Sequence, residues 1–408
     1  MRIGIFTDTY PPYINGVSTS IQMLEKALRK KGHQVFIVTV NPENMTYKYE
    51  KNIIRIPGIP TGIYDYRLTG IYPIRAIKTI KKWNLDVIHT HTEFGIGTFA
   101  RIIAKQLNIP LVHTYHTMYE DYVHYITKGY FNDTSKKIVE HLTKFYCDKT
   151  AKELIVPTKK AYDLFTEKYK VEKNVHIIPT GIEIEKFYKE NININKLNKL
   201  KQELNINKDD FIILYIGRLG EEKNVEFLID NQDYFTNKNK NIKLLIVGDG
   251  PDLEKYKLKA KKQKLENNII FTGKVPYENI NYYYNLGNIF VTASTTETQG
   301  LTVIEAMSAS IPVVCIDDES FRKTVINGLN GYLFKNKKEY RKYIDELINN
   351  KEKLNQLGKQ AKISTTEYSS KYYAERVLDV YKKTIDENKT KKTFIGRTKE
   401  VFKKGLHN

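Results

Sequence analysis

The chain has 408 residues, of which 41% are hydrophobic, and carries a formal net charge of +19 at pH 7. That length exceeds one ordinary core and predicts two domains. Its two cysteines, Cys147 and Cys315, lie far apart, which excludes a disulfide framework and a cysteine metal cluster, and no apolar run is long enough to span a bilayer. A charge this positive points to a polyanionic partner: nucleic acid, an anionic membrane or a phosphate-bearing substrate. The wealth of Lys, Asn, Ile and Tyr offers a second source for it, since an AT-rich genome produces the same bias.

The opening, MRIGIFTDTY, reads as a buried strand and not as a signal peptide, and the cysteine usage fits a reducing cytoplasm; if the protein meets a membrane, the expectation is a peripheral one, on the cytoplasmic face of the cell membrane. Strands are predicted at 2–7, 34–40, 86–91, 110–115 and 153–158. Between the first two, Ile21, Leu24 and Leu28 recur at helical spacing before Gly32. The loop TYPPYINGVSTS joins the first strand to this helix and places Gly16 at the helix start. HTYHTMYEDYVHY (113–125) follows the fourth strand with His113, Tyr115, His116, Glu120 and Asp121. It holds no H-E-x-x-H, so metal binding is not expected there. A structural histidine is the competing reading for His116.

The stretch YRLTGIYPIRAIKTIKKWNL has no acid between Asp65 and Asp86 and contains Arg67, Arg75, Lys78, Lys81 and Lys82. On a helix after Pro73 the cations cluster on one side, with Ile74, Ile77, Ile80 and Trp83 drifting around the other. Arg75, Lys78, Lys81, Lys82 and Trp83 are therefore candidate membrane contacts. A crossover helix with an ordinary charged outer face is the alternative.

A polar, Asn/Lys-rich stretch at 187–207 reads as a linker, separating residues 1–186 from residues 208–370. Strands then recur at 211–217, 242–248, 268–273, 288–294 and 311–316. Strands alternating with helices imply a parallel, doubly wound sheet in each half, with the two halves facing across a cleft. A helix over 371–388 and a basic tail over 389–408 close the chain.

The loop after the fourth strand of the second half, TETQGLTVIEA, sets Glu297 and Glu305 on either side of Gly300. Glycine lets the backbone approach a ligand, and the amides of Gly300, Leu301 and Thr302 open a helix, which suits a phosphate. Side chains tilt back toward a helix N-terminus, so Glu305 reaches a hydroxyl-bearing group beside that phosphate. Solvated charges are the alternative for both acids. YIGRLGEEKN holds Arg218 and Lys223 in a loop after a strand, a clamp for a diphosphate. IVGDGPD adds Gly248 and Gly250, although a plain strand–helix turn explains a lone G-x-G equally well.

Glu297-x7-Glu305, IGRLGEEKN and the NGV turn together resemble glycosyltransferase family 4, over the whole chain. The resemblance implies the GT-B fold, an α/β architecture of two Rossmann-like domains with a C-terminal helix crossing back to the first. It implies that Arg218 and Lys223 bind the nucleotide diphosphate, that Glu297 meets the donor sugar and that Glu305 holds the ribose. Gly16 is expected beside the diphosphate and His116 near the transferred sugar, while Gly248, Lys274 and Val275 complete the nucleotide-sugar site. One departure is Thr298-Gln299-Gly300, where most members have Gly-Phe-Gly. TETQGLT and HTYHTMYEDYVHY resemble the branch that glucosylates diacylglycerol. That branch implies UDP-glucose as donor, a retaining transfer without metal or other cofactor, and possible activation by an anionic lipid. Another acceptor, such as an inositol lipid, a polyol phosphate or a soluble sugar, stays open, as does a sugar-nucleotide epimerase. A nucleic-acid partner is not expected, because the charge collects in local patches.

Overall fold

The computed structural model describes residues 1–13, 15–60, 67–93, 95–116, 140–141, 143–297 and 299–405. Glu120, Asp121 and Thr298 lie outside these residues, and the side chains beyond Thr390 lie outside the description of the basic tail. Two compact units divide the chain: Met1–Gly181 with Ser370–Asn408, and Ile182–Ser369.

The first unit contains β1 (Arg2–Phe6), β2 (Gln34–Val40), β3 (Lys48–Glu50), β4 (Ile53–Ile56), β5 (Gly58–Pro60), β6 (Arg67–Thr69), β7 (Val87–Thr90), β8 (Leu111–Thr114), β9 (Glu153–Val156) and β10 (Asn174–Ile177). Its helices are α1 (Gly16–Lys30), α2 (Ile74–Trp83), α3 (Gly95–Leu107) and α4 (Lys159–Asp163). Eight strands form one sheet in the order β10-β9-β8-β7-β1-β2-β4-β3. Its pairings are parallel except at β3, which runs antiparallel to β4 at the edge. Alternation along β1 sends Ile3 and Ile5 into one cluster with α1, and Phe6 into another with α2 and α3. Both faces are thereby covered, as a parallel sheet requires. β5 and β6 pair as a separate antiparallel hairpin.

The second unit contains α5 (Ile194–Glu203), β11 (Phe211–Ile216), α6 (Val225–Lys238), β12 (Ile242–Val247), α7 (Leu253–Lys262), β13 (Ile269–Phe271), α8 (Ile280–Tyr284), β14 (Ile289–Thr292), α9 (Leu301–Ser308), β15 (Val313–Ile316), β16 (Gly331–Phe334), α10 (Lys337–Asn349) and α11 (Lys351–Ser364). Its parallel sheet has the order β13-β12-β11-β14-β15-β16. In each sheet the chain starts centrally, builds outward on one side, then reverses. The reversal lies between β1 and β7 in the first unit and between β11 and β14 in the second. Ligands of open α/β sheets bind at the carboxyl ends of strands at such a switch point.

Two expectations about segments change. Residues 187–207 are not a linker: Phe187 and Ile206 are buried in the core of the second unit, and Leu197, Leu200 and Leu204 pack against it. The leucine spacing is helical, and Asn193 caps α5 by accepting from the Lys196 amide. The helix expected at 371–388 and the basic tail are one helix, α12 (Ser370–Gly405). Tyr373, Ala374, Val377 and Tyr381 of α12 join Ile21, Leu24 and Leu28 of α1 in one cluster.

Trp83 is not a membrane contact. It is 7% exposed, and its ring stacks on Phe36 at 4.9 Å. Trp83 falls on the face of α2 that buries Ala76 and Ile80 against the sheet. Arg75, Lys78, Lys81 and Lys82 are exposed, and so is Ile74. Trp83→Phe is expected to cost roughly 1–3 kcal/mol of stability, read by denaturant melts, and to leave vesicle binding unchanged.

Candidate functional site

Of the expected donor-binding residues, Arg218, Lys223, Glu297 and Gly300 lie in the two loops that flank the switch point of the second sheet. The loop after β11 carries Arg218 and, in its short turn, Lys223; the loop after β14 carries Glu297 and Gly300. Lys223 Nζ donates to Glu297 Oε1 at 2.5 Å, a pair that ties the two loops together. Arg218 donates through Nε and Nη2 to Glu222 Oε1, at 3.0 and 2.5 Å. Burial raises the Glu222 carboxyl, and the Arg218 bond with neighbouring charges outweighs it, leaving the group below its ordinary range. Sequence reasoning left Glu222 unassigned, although its spacing of four from Arg218 was legible.

Gly300 has φ +71°, and a Cβ there would lie 2.4 Å from the Phe321 ring. Only glycine meets both conditions without strain. Among the described residues no side chain caps the helix α9 that follows, which leaves its first-turn amides at Leu301 and Thr302 for an anion. α1, by contrast, is capped by Asn15, which accepts from the Ser18 amide. Gly248 has φ +140°, and a Cβ there would meet Gly217 O at 1.9 Å. Its role in the fold is close approach of the loops after β11 and β12. Beyond β13, Lys274 is exposed and Val275 packs against the unit's core.

Glu305 lies one turn into α9 and is 5% exposed. Tyr284 Oη donates to its Oε2 at 2.6 Å and Tyr277 Oη to its Oε1 at 3.2 Å. A carboxylate offers about four acceptor positions, so two remain for a diol. Neither tyrosine was singled out from sequence, because the contact is made across the fold. Burial pushes the Glu305 carboxyl up to about 7, against the lowering effect of both tyrosine hydroxyls and Lys186. Its folded value lies above the ordinary 4.5, so the folded state binds the extra proton and stability from this group is lost as pH rises. Glu305→Gln should thus gain on the wild type between pH 5 and pH 8 in thermal melts. A difference between the two proteins that does not change with pH contradicts this.

The first sheet gathers buried polar side chains at its own switch point. Asp8, just past β1, accepts from the Ile96 amide at 2.9 Å and from Thr92 Oγ1 at 2.5 Å. His113 Nε2 lies 3.0 Å from Glu93 Oε1. His116, two residues past β8, has its Nε2 2.8 Å from His91 Nδ1. Burial lowers His116 to about 4 and holds His91 well below the ordinary histidine range. Beyond its chain neighbours and its own helix backbone, no atom of the described residues comes within 4 Å of a Cβ built at Gly16. Among the described residues, no group of three His, Cys, Asp or Glu is arranged to hold a metal.

Comparison with known proteins agrees with this fold. Residues 14–186 match the family described as Glycosyltransferase Family 4, and residues 197–364 match Glycosyl transferases group 1. The chain is 36% identical to the alpha-monoglucosyldiacylglycerol synthase of Acholeplasma laidlawii, covering 96% of this chain and 99% of that one. It is also 36% identical to the enzyme of the same name from Streptococcus pneumoniae, over 82% of this chain and 75% of that one. Among solved structures, Anabaena HepE in complex with UDP-glucose superposes with a TM-score of 0.71 at 16% identity, covering 93% of this chain and 99% of that one. Two doubly wound units of this kind are those of a GT-B glycosyltransferase. The chain belongs to glycosyltransferase family 4.

Proposed function

We propose that this glycosyltransferase moves glucose from UDP-glucose to the free hydroxyl of 1,2-diacylglycerol at an anionic membrane surface. The carrying observation is the Lys223–Glu297 pair, which joins the loops after β11 and β14 at the switch point of the second sheet, just ahead of the α9 start at Gly300. In this reading Arg218, Lys223 and the α9 amides stabilise charge that develops on UDP as the glycosidic bond breaks, the electrostatic work a divalent metal does elsewhere. Glu297 accepts from a hydroxyl of the glucose and Glu305 from the ribose diol; the family pattern assigns Gly16 to the diphosphate and His116 to the transferred sugar. The acceptor oxygen bonds to the anomeric carbon on the face that the diphosphate leaves, and its proton passes to a departing phosphate oxygen. The named relatives are alpha-synthases; an alpha product from the α-linked donor is retention.

The membrane part of the reading rests on the 58–82 region. In the β5–β6 hairpin, Ile59 pairs with Leu68, and each is 59% exposed. Ile71, Tyr72 and Ile74 follow, also exposed, and then the four exposed cations of α2. Apolar groups that continue into a row of cations fit an interface whose headgroups are anionic. Among the described residues no helix is long and apolar enough to cross a membrane. The test is turnover of UDP-glucose on diacylglycerol vesicles in EDTA, with and without an anionic lipid. Turnover that needs the anionic lipid and survives EDTA supports the proposal. Turnover only on a soluble acceptor keeps the donor site and discards the lipid.

A further inference from the structure

The buried histidines at the end of the first sheet go beyond the expected site. β7 and β8 are parallel neighbours, with His89 opposite Val112 and Thr90 opposite His113. Strand alternation puts His89 and His91 on one face, and their rings lie 4.1 Å apart. Both nitrogens of His89 are engaged: Nδ1 with Tyr381 Oη at 2.6 Å and Nε2 with Thr114 Oγ1 at 2.7 Å. His91 differs. Its Nδ1 meets His116 Nε2 at 2.8 Å, and the two rings lie edge to edge and nearly coplanar, with centroids 5.1 Å apart and an interplanar angle of 20°. Its Nε2 is buried and has no hydrogen-bond partner among the described residues.

Two neutral imidazoles that face each other nitrogen to nitrogen share one proton, so one donates and the other accepts. If His116 Nε2–H donated, the His91 proton would have to sit on its buried, unpartnered Nε2. An orphaned N–H in the interior is rarer and costlier than an acceptor left bare. If His91 Nδ1–H donates, the bare atom at His91 Nε2 is only an acceptor, and the His116 proton must sit on Nδ1. We propose that His91 is a positioning residue for His116: its Nδ1–H orients the ring and sets the tautomer that carries the proton on Nδ1. His116 then offers a neutral N–H donor, suited to a hydroxyl or ring oxygen of the transferred sugar. That last step rests on the proposed function, whereas the tautomer assignment does not.

The test separates the two. In protein labelled with 15N-histidine, the His116 ring signals are assigned by their loss in His116→Gln. Wild type is expected to show the Nδ1–H tautomer at His116. His91→Leu should shift it toward a mixture, and His91→Asn, which places an amide N–H where Nδ1 stood, should restore it. An Nε2–H tautomer in the wild type, or a His116 signal that His91→Leu leaves unchanged, overturns the proposal. Should His91→Leu fail to fold, the wild-type and His91→Asn spectra decide. In turnover, His91→Leu should lower kcat by about tenfold to a hundredfold, with His91→Asn close to wild type and no further loss on a His116→Ala background. If His116→Ala turns over normally while the tautomer results hold, the role of His116 in transfer fails and the positioning by His91 stands.

Discussion

Lys223→Ala should lower kcat for glucose transfer by about 10²–10³-fold, the cost of losing one preorganised group that stabilises transition-state charge. Lys223 sits in the turn after β11, and its ammonium is already held at the switch point by Glu297. It therefore needs no large rearrangement to meet a diphosphate, whose charge grows as the sugar leaves. Removing it has a second consequence in the same direction. Glu297 loses its cation and stays as an uncompensated negative charge beside the position of the phosphates. The two side chains share one interaction, so Lys223→Ala and Glu297→Ala should combine with less than additive loss. The pair is partly solvent-exposed, at 15% and 24%, so the fold should hold, with circular dichroism and melting close to wild type. Activity within a few-fold of wild type would remove Lys223 from the site.

Neutralising Arg75, Lys78, Lys81 and Lys82 together, each to Gln, should weaken binding to anionic vesicles by roughly 10³-fold, at about 1 kcal/mol per cation near the surface. All four are exposed on α2, opposite the face that buries Ala76, Ile80 and Trp83. The substitution therefore leaves the packing intact and keeps good helix formers in place. Sedimentation with vesicles of graded anionic content measures the effect. It should shrink as salt rises and vanish on neutral vesicles. Equal loss on neutral vesicles would mean the segment acts through packing, not charge. Ser in place of Ile59, Leu68 and Ile74 should weaken binding to both kinds of vesicle, because the exposed apolar groups do not depend on lipid charge.

Both sheets and most of the donor loops are legible in the chain. The ten runs expected as strands appear, each within about two residues of its expected ends, because parallel strands covered on both faces are continuous apolar runs that stand out from their surroundings. β3, β5 and β6 are three residues each, too short for periodicity to register, and β10 is half-exposed at the sheet edge. The stretch 187–207 misleads through composition: its Asn and Lys suggest a linker, yet Leu197, Leu200 and Leu204 lie on one face of α5 and pack down. Trp83 misleads through amphipathicity, since a helix that must cover its own sheet and one that lies on a membrane both need an apolar face. Arg218, Lys223, Glu297 and Gly300 could be assigned to loops because each lies in the segment between a strand and the next helix, where the sheet topology brings loops together. Tyr277, Tyr284 and His91 could not. Their partners, Glu305 and His116, are 28, 21 and 25 residues away, and only the folded chain sets those distances. The H-x-H spacing in the run 86–91 did carry the signal that both rings share one face.

The most direct measurement is the fate of labelled glucose from UDP-glucose, with the purified protein and diacylglycerol in vesicles that contain an anionic lipid. A chloroform-extractable product should carry one labelled glucose per diacylglycerol, in the alpha configuration by its anomeric proton coupling. Lys223→Ala should yield almost none. Label that stays in water-soluble material, or a beta-linked product, would contradict a retaining transfer to diacylglycerol.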